Sequence, residues 1–194
     1  MTELAKRRRA LIADQVKALH GYTLVGTPSI SSGILDLSVK GAIKTPFLFS
    51  PGATDTWRIE WAVNWTLQPT DDAYHYLIAT QETPSSSLAS EFFVAFRVGG
   101  TRVSLKVGGT TIINFTLGAQ AVNTGENLFS LSFTGTKYQF RNITRNVGRS
   151  GSSTAQMPAF NVYFGNNANT NQQSATMDLS KIKIYLNNKL WWTP

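Results

Sequence analysis

Carboxylates are the residues of this chain most able to do chemistry, and the reaction they would support is cleavage of a glycosidic bond. A retaining mechanism needs two carboxyl groups about 5–5.5 Å apart. On a strand that means acids at alternate positions, because every second side chain shares a face. Beyond residue 20 the acids are Asp36, Asp55, Glu60, Asp71, Asp72, Glu82, Glu91, Glu126 and Asp178, and no two are separated by one residue. Neither a Gly-x-Ser-x-Gly elbow nor a phosphate-cradling glycine loop occurs. The chain is therefore expected not to be an enzyme.

Binding chemistry leaves more candidates. Asp71-Asp72 offers adjacent carboxylates to calcium, but no spaced oxygen ligands accompany them. A polar turn is the expected role, and no cofactor is expected. Cysteine is absent, which removes disulfides and thiolate metal sites, and His20 and His75 stand too far apart to suggest a histidine cluster. Trp57, Trp61 and Trp65 could stack on sugar rings, yet their spacing favours a core. Arg141, Arg145 and Arg149 fall in a stretch whose later part, Arg145 to Gln156, is rich in Gly, Ser and Asn and reads as a mobile loop. An anionic glycan is one partner for these arginines, and bulk water the commoner one.

The net charge of +7 is unevenly spread: residues 1–20 carry five basic and two acidic side chains. A nucleic-acid surface would show a continuous basic stripe interleaved with exposed aromatics. Here the aromatics follow the strand period, so no nucleic-acid partner is expected. Lys6-Arg7-Arg8-Arg9 is followed by Asp14, Gln15 and Lys17 rather than by an apolar run, so neither a signal peptide nor membrane insertion is expected.

The elements that position these residues are strands, with one exception. In Asp55 to Leu67, residues Trp57, Ile59, Trp61, Val63 and Trp65 point one way and Arg58, Glu60, Ala62, Asn64 and Thr66 the other. Three tryptophans on one face, each burying on the order of 200 Å², need a second sheet as cover, so this reads as the central strand of a sandwich. Glu91 to Val107 reads as a hairpin about Gly99-Gly100, and Asn127 to Ile143 as another about Gly135. Tyr22 to Gly26, Gly33 to Val39, Tyr74 to Ala79, Thr111 to Leu117, Phe160 to Phe164 and Ser180 to Asn187 are further strands, separated by polar turns. Ile43 to Phe49 is expected at a sheet edge, because Pro46 cannot donate to a ladder. The exception is residues 3–19, where Leu4, Leu11, Ile12, Val16 and Leu19 form a narrow apolar stripe at helical spacing. A lone helix of this length is marginal in water and must dock on something.

In this order the pieces resemble the concanavalin A-like lectin/glucanase jelly roll, including its laminin-G-like relatives, over residues 22–192. The early core strand Asp55 to Trp61, the hairpins Glu91 to Val107 and Asn127 to Ile143, and the ending Phe160 to Gly165 with Met177 to Ile182 carry the resemblance. A narrower set is similar to such domains in tailed-phage structural proteins: Val25 to Ile30 with Gly33-Ile34-Leu35, Thr45-Pro46, Asp55-Thr56-Trp57, and Asp178-Leu179-Ser180 through Leu186-Asn187-Asn188-Lys189-Leu190-Trp191-Trp192. Asn188 stands where glycine is usual, and asparagine tolerates the left-handed turn conformation.

The resemblance implies an all-β, antiparallel two-sheet jelly-roll sandwich over residues 21–194, with the N-terminal α-helix of residues 1–20 as an attachment element. It implies a non-enzymatic virion structural or decoration protein of a tailed phage, on head, tail or fibre, made in the host cytoplasm. The alternative is a carbohydrate-binding receptor-recognition module. The partners are then other virion proteins, further copies of the chain as a homo-oligomer, or a cell-surface glycan. Leu4, Arg7, Arg8, Leu11, Ile12, Val16 and Leu19 are the expected partner-binding residues. Trp191 and Trp192 join them, because adjacent strand residues cannot both face inward and one should lie exposed unless something covers it.

Overall fold

The computed structural model describes residues 21–67, 75–82, 88–97, 100–118, 124–166 and 174–194. Their backbone forms two antiparallel sheets. Numbered in chain order, the seven-stranded sheet runs β1 (Thr23–Gly26), β4 (Gly41–Lys44), β13 (Tyr163–Asn166), β6 (His75–Ala79), β7 (Glu91–Arg97), β8 (Gly100–Val107), β9 (Thr110–Gly118). The nine-stranded sheet runs β12 (Val147–Ser152), β11 (Lys137–Asn142), β10 (Gly125–Phe133), β5 (Trp57–Leu67), β14 (Ser174–Asp178), β3 (Ile34–Asp36), β2 (Ser29–Ser31). The hairpin β15 (Lys183–Leu186) and β16 (Lys189–Trp192) completes it, with β15 also paired to β5.

β5 is central, as its alternation requires. Trp57, Ile59, Trp61, Val63 and Trp65 are all buried. Register sets Phe129 of β10 opposite Trp61, and the two rings stack with centroids 5.6 Å apart. Phe140 of β11 adds a further stacked ring, 5.9 Å from Phe129. Opposite them the seven-stranded sheet supplies Ile43, Phe92, Val94, Val103, Leu105 and Phe164 to the same core. The tryptophan rings therefore face the core, and β7 pairs with β8 and β10 with β11 as the two expected hairpins.

Four readings need correction. β4 is not an edge, since β1 and β13 pair with it on both sides; Pro46 falls just past its end, outside the ladder. β2 occupies part of the stretch between Gly26 and Gly33 that reads as a polar turn. Half of Arg145 to Gln156 is not a loop, because β12 pairs with β11 over its whole length. Its glycines are required by close approach: a Cβ at Gly148 would sit 2.4 Å from the Phe140 carbonyl oxygen, and one at Gly151 2.1 Å from that of Ile112 on β9. The closing strand is also shorter than expected, opening with a one-turn 3₁₀ helix, Leu179–Lys181, capped by Asp178. The N-terminal α-helix expected over residues 1–20 lies outside the described residues. No helix among the described residues is long and apolar enough to cross a membrane.

Candidate functional site

Because β5 buries its odd-numbered positions, Arg58 and Glu60 project from the outer face of the nine-stranded sheet. Arg58 lies opposite Ser132 of β10 and Glu60 opposite Ser130. Those serines in turn lie opposite Gln139 and Arg141 of β11. On the other side of β5, Tyr185 of β15 faces Arg58 and Lys183 faces Glu60. Side chains opposite one another in a sheet share a face, so these residues form two polar rows across four strands. The serines are the shortest members of both rows. β10 therefore makes a low floor between taller walls, and an open groove of about 600 Å³ results. The walls stand two strand spacings apart, about 10 Å.

The first wall is braced from within. Arg58 Nε lies 2.7 Å from Glu60 Oε1, and its guanidinium sits 4.4 Å from the Tyr185 ring centroid. The second wall is braced by the turn after β11. Arg141 donates from a terminal guanidinium nitrogen to Asn146 Oδ1 at 2.9 Å, and Asn146 holds that position with φ at 52°, which asparagine accepts at little cost. Gly148, opposite Arg141 on β12, leaves that side chain room: a Cβ there would lie 3.1 Å from Arg141 Cγ.

One end of the groove is set by the β15–β16 turn. Asn187 and Asn188 both adopt positive φ, 50° and 62°, so the two-residue hairpin forms with asparagine where glycine is usual. Asn187 then ties the turn to the start of β5. Its side-chain amide donates to Asp55 Oδ1 at 2.7 Å, its Oδ1 accepts from the Thr56 N–H at 3.0 Å, and its own N–H donates to the Thr56 carbonyl at 2.8 Å. The Asn187 amide, and after it the Gly52 N–H, holds the Asp55 carboxyl below its usual value. Thr56 and Asn188 thus reach the groove from a rigid corner.

The groove presents amide, hydroxyl and guanidinium groups beside one aromatic ring, a set able to hydrogen-bond a hydroxyl-rich ligand. Glu60 is the one carboxylate among the lining residues, and Arg58 already engages it. Among the described residues no group of three or more His, Asp or Glu could hold a metal ion. Asp71 and Asp72 lie outside the described residues, as do Leu4, Arg7, Arg8, Leu11, Ile12, Val16 and Leu19.

The remaining sequence candidates are dispersed. Trp192 is fully buried, stacks on Phe164 at 5.9 Å and donates its indole N–H to the Gly21 carbonyl, so it is a core residue and not a docking one. Trp191, its neighbour on the pleat, is half-buried because Phe49 and Phe47 cover it, with ring centroids at 4.8 and 6.2 Å. Of the arginine series only Arg141 lines the groove. Arg149 lies opposite the inward-facing Phe140 and sits 5.7 Å from the Phe115 ring, and Arg145 lies in the turn between β11 and β12.

No protein-family profile and no curated protein sequence matches the chain. Solved structures do. The chain is similar to the CBM2 module of the evolved Dit of Lactobacillus casei BL23 phage J-1, with 12% identity over 90% of this chain and 82% of that one, TM-score 0.52. It is similar to the carbohydrate recognition domain of Emp47p, with 11% identity over 87% and 88% of the two chains, TM-score 0.53. Lectin I-B4 from Griffonia simplicifolia aligns at 9% identity over 86% and 93%, TM-score 0.54. The fold is accordingly the concanavalin A-like, lectin-type jelly roll. At these identities the likeness is one of fold.

Proposed function

We propose that this chain is a non-enzymatic carbohydrate-binding module that holds its glycan in the groove along β10. The observation that carries the reading is the serine floor at Ser130 and Ser132 between polar walls from β5, β15 and β11. Sugars are recognised by planar polar side chains that pair with neighbouring hydroxyls, and by an aromatic surface under the ring. Groups of the first kind line this groove, and Tyr185 stands at its edge with Arg58 over its ring. The fold supports the reading, being shared with domains described as carbohydrate recognition domains and lectins. A single, ion-paired carboxylate supports binding without hydrolysis, which needs a second acid.

The test blocks the floor. Ser132→Trp places a large side chain between the walls without removing any wall residue. On a glycan array the wild-type chain is expected to retain one class of saccharide, and Ser132→Trp to lose it while keeping the wild-type melting temperature. Wild-type protein that binds no saccharide, or a blocked variant that binds as well as wild type, refutes the site.

The likeness to a phage Dit module favours a particular setting. In it the chain is displayed on a tailed-phage particle among other virion proteins, attached through residues 1–20. Immunogold labelling of purified particles checks this placement: label on head, tail or fibre is expected. Particles that carry none of the chain would rule the setting out.

A further inference from the structure

The two walls of the groove carry cations in different states. Arg58 is neutralised by Glu60 at 2.7 Å and lies over Tyr185. Arg141, across Ser130 from Glu60, donates to Asn146 Oδ1, a neutral acceptor, and among the described residues it has no carboxylate partner. Asn146 takes up one terminal nitrogen, leaving the rest of the donor fork to the groove. Gly148 keeps the adjacent strand from crowding it. A guanidinium held by a neutral partner has its charge uncompensated. Planar carboxylates match that fork with two parallel hydrogen bonds.

Resting on the glycan-binding reading above, we infer that the groove selects acidic saccharides whose charge is a carboxylate, as in uronic or sialic acids. Arg141 pairs with the carboxylate. On the first wall, about 10 Å away, Arg58 and Glu60 meet the sugar's hydroxyls. The Arg58–Glu60 pair offers no net positive charge there, so the ligand carries its charge toward Arg141 and is neutral at the other edge.

The experiment uses the full chain on an array bearing uronic- and sialic-acid glycans, their methyl esters, and neutral and sulfated counterparts. Carboxylated glycans are expected to bind at least about tenfold more tightly than their esters, the ratio for one charge-assisted pair. That advantage should shrink as salt rises. Arg141→Gln should erase the preference, and Arg141→Lys, which keeps the charge but not the fork, should retain part of it. If neutral glycans bind as well as acidic ones, and Ser132→Trp blocks them while Arg141→Gln does not, the acidic selectivity is refuted and the binding groove stands. If acidic glycans bind regardless of Ser132→Trp, the groove itself is refuted. Binding of sulfated glycans alone also overturns the carboxylate assignment.

Discussion

Replacing Gly151 with alanine should destabilise this protein, although the same change in an ordinary strand stabilises it by about 0.5–1 kcal/mol. Gly151 lies in β12 opposite Tyr138, on the side of the sheet that meets β9. A Cβ added there would stand 2.1 Å from the Ile112 carbonyl oxygen, 2.9 Å from its Cγ2 and 3.0 Å from its carbonyl carbon. Unstrained non-bonded contacts are nearer 3.5 Å. Because the obstructing atom belongs to backbone, no rotamer change relieves it, and β9 and β12 must separate by more than an ångström or so locally. Overpacking of this kind costs about 1–3 kcal/mol. For a chain of this size each kcal/mol moves the melting temperature by about 2–4 °C, so a fall of about 2–12 °C is expected. Differential scanning calorimetry measures it directly. Ser150→Ala, one residue away and exposed, is the control and should stay within about 0.5 kcal/mol of wild type. If Gly151→Ala melts at or above the wild-type temperature while the control behaves as stated, β12 does not close against β9.

Two further outcomes follow from the core. Trp61→Ala removes a fully buried ring stacked on Phe129 and should cost about 3–5 kcal/mol; chemical denaturation showing less than about 1 kcal/mol would contradict its place in the core. Burial pushes the Tyr138 hydroxyl up from 10.0 to about 12, with the Met157 N–H opposing it; the group donates to the Ala155 carbonyl. Its folded value is raised, so its contribution to stability is intact below pH 10 and is lost between pH 10 and 12. Tyr138→Phe should flatten that alkaline limb in melts taken across this range, at a uniform cost of about 1–3 kcal/mol for the unpaired backbone groups.

What could be read from the sequence was set by how local the signal is. β5 and the two hairpins are legible because period-two alternation and turn residues act within ten or so positions, and burial merely confirms them. The pleat argument correctly separates Trp191 from Trp192, since one is buried and the other is half-buried. It cannot say that Phe47 and Phe49, some 140 residues earlier, would cover the outer one. β12 fails as a sequence reading for the opposite reason. Its Gly and Ser are what a loop would use, yet here they are demanded by carbonyls of Phe140 and Ile112 that approach from neighbouring strands. Glycine reports a need for space, and the sequence does not tell whether the need is a turn or a neighbour.

The groove is the extreme case of this. Its residues come from four strands, and none is unusual alone: Arg58 and Glu60 read as a solvated strand face, Ser130 and Ser132 as outward polar positions, Arg141 as one arginine of a series. Register turns them into a site, because it places the two shortest side chains between the longest ones. A one-residue slip of β10 would send Phe129 and Leu131 outward and the serines into the core, costing the sandwich its central stack. The aromatic face of β10 therefore fixes the serine floor. Selection for a packed core alone would hold the groove's floor in place, but it would not require Arg141 to be held by a neutral asparagine at positive φ. That feature has no counterpart in the packing, which is why the charge specificity of the groove is the part of the functional reading most open to refutation by a single substitution.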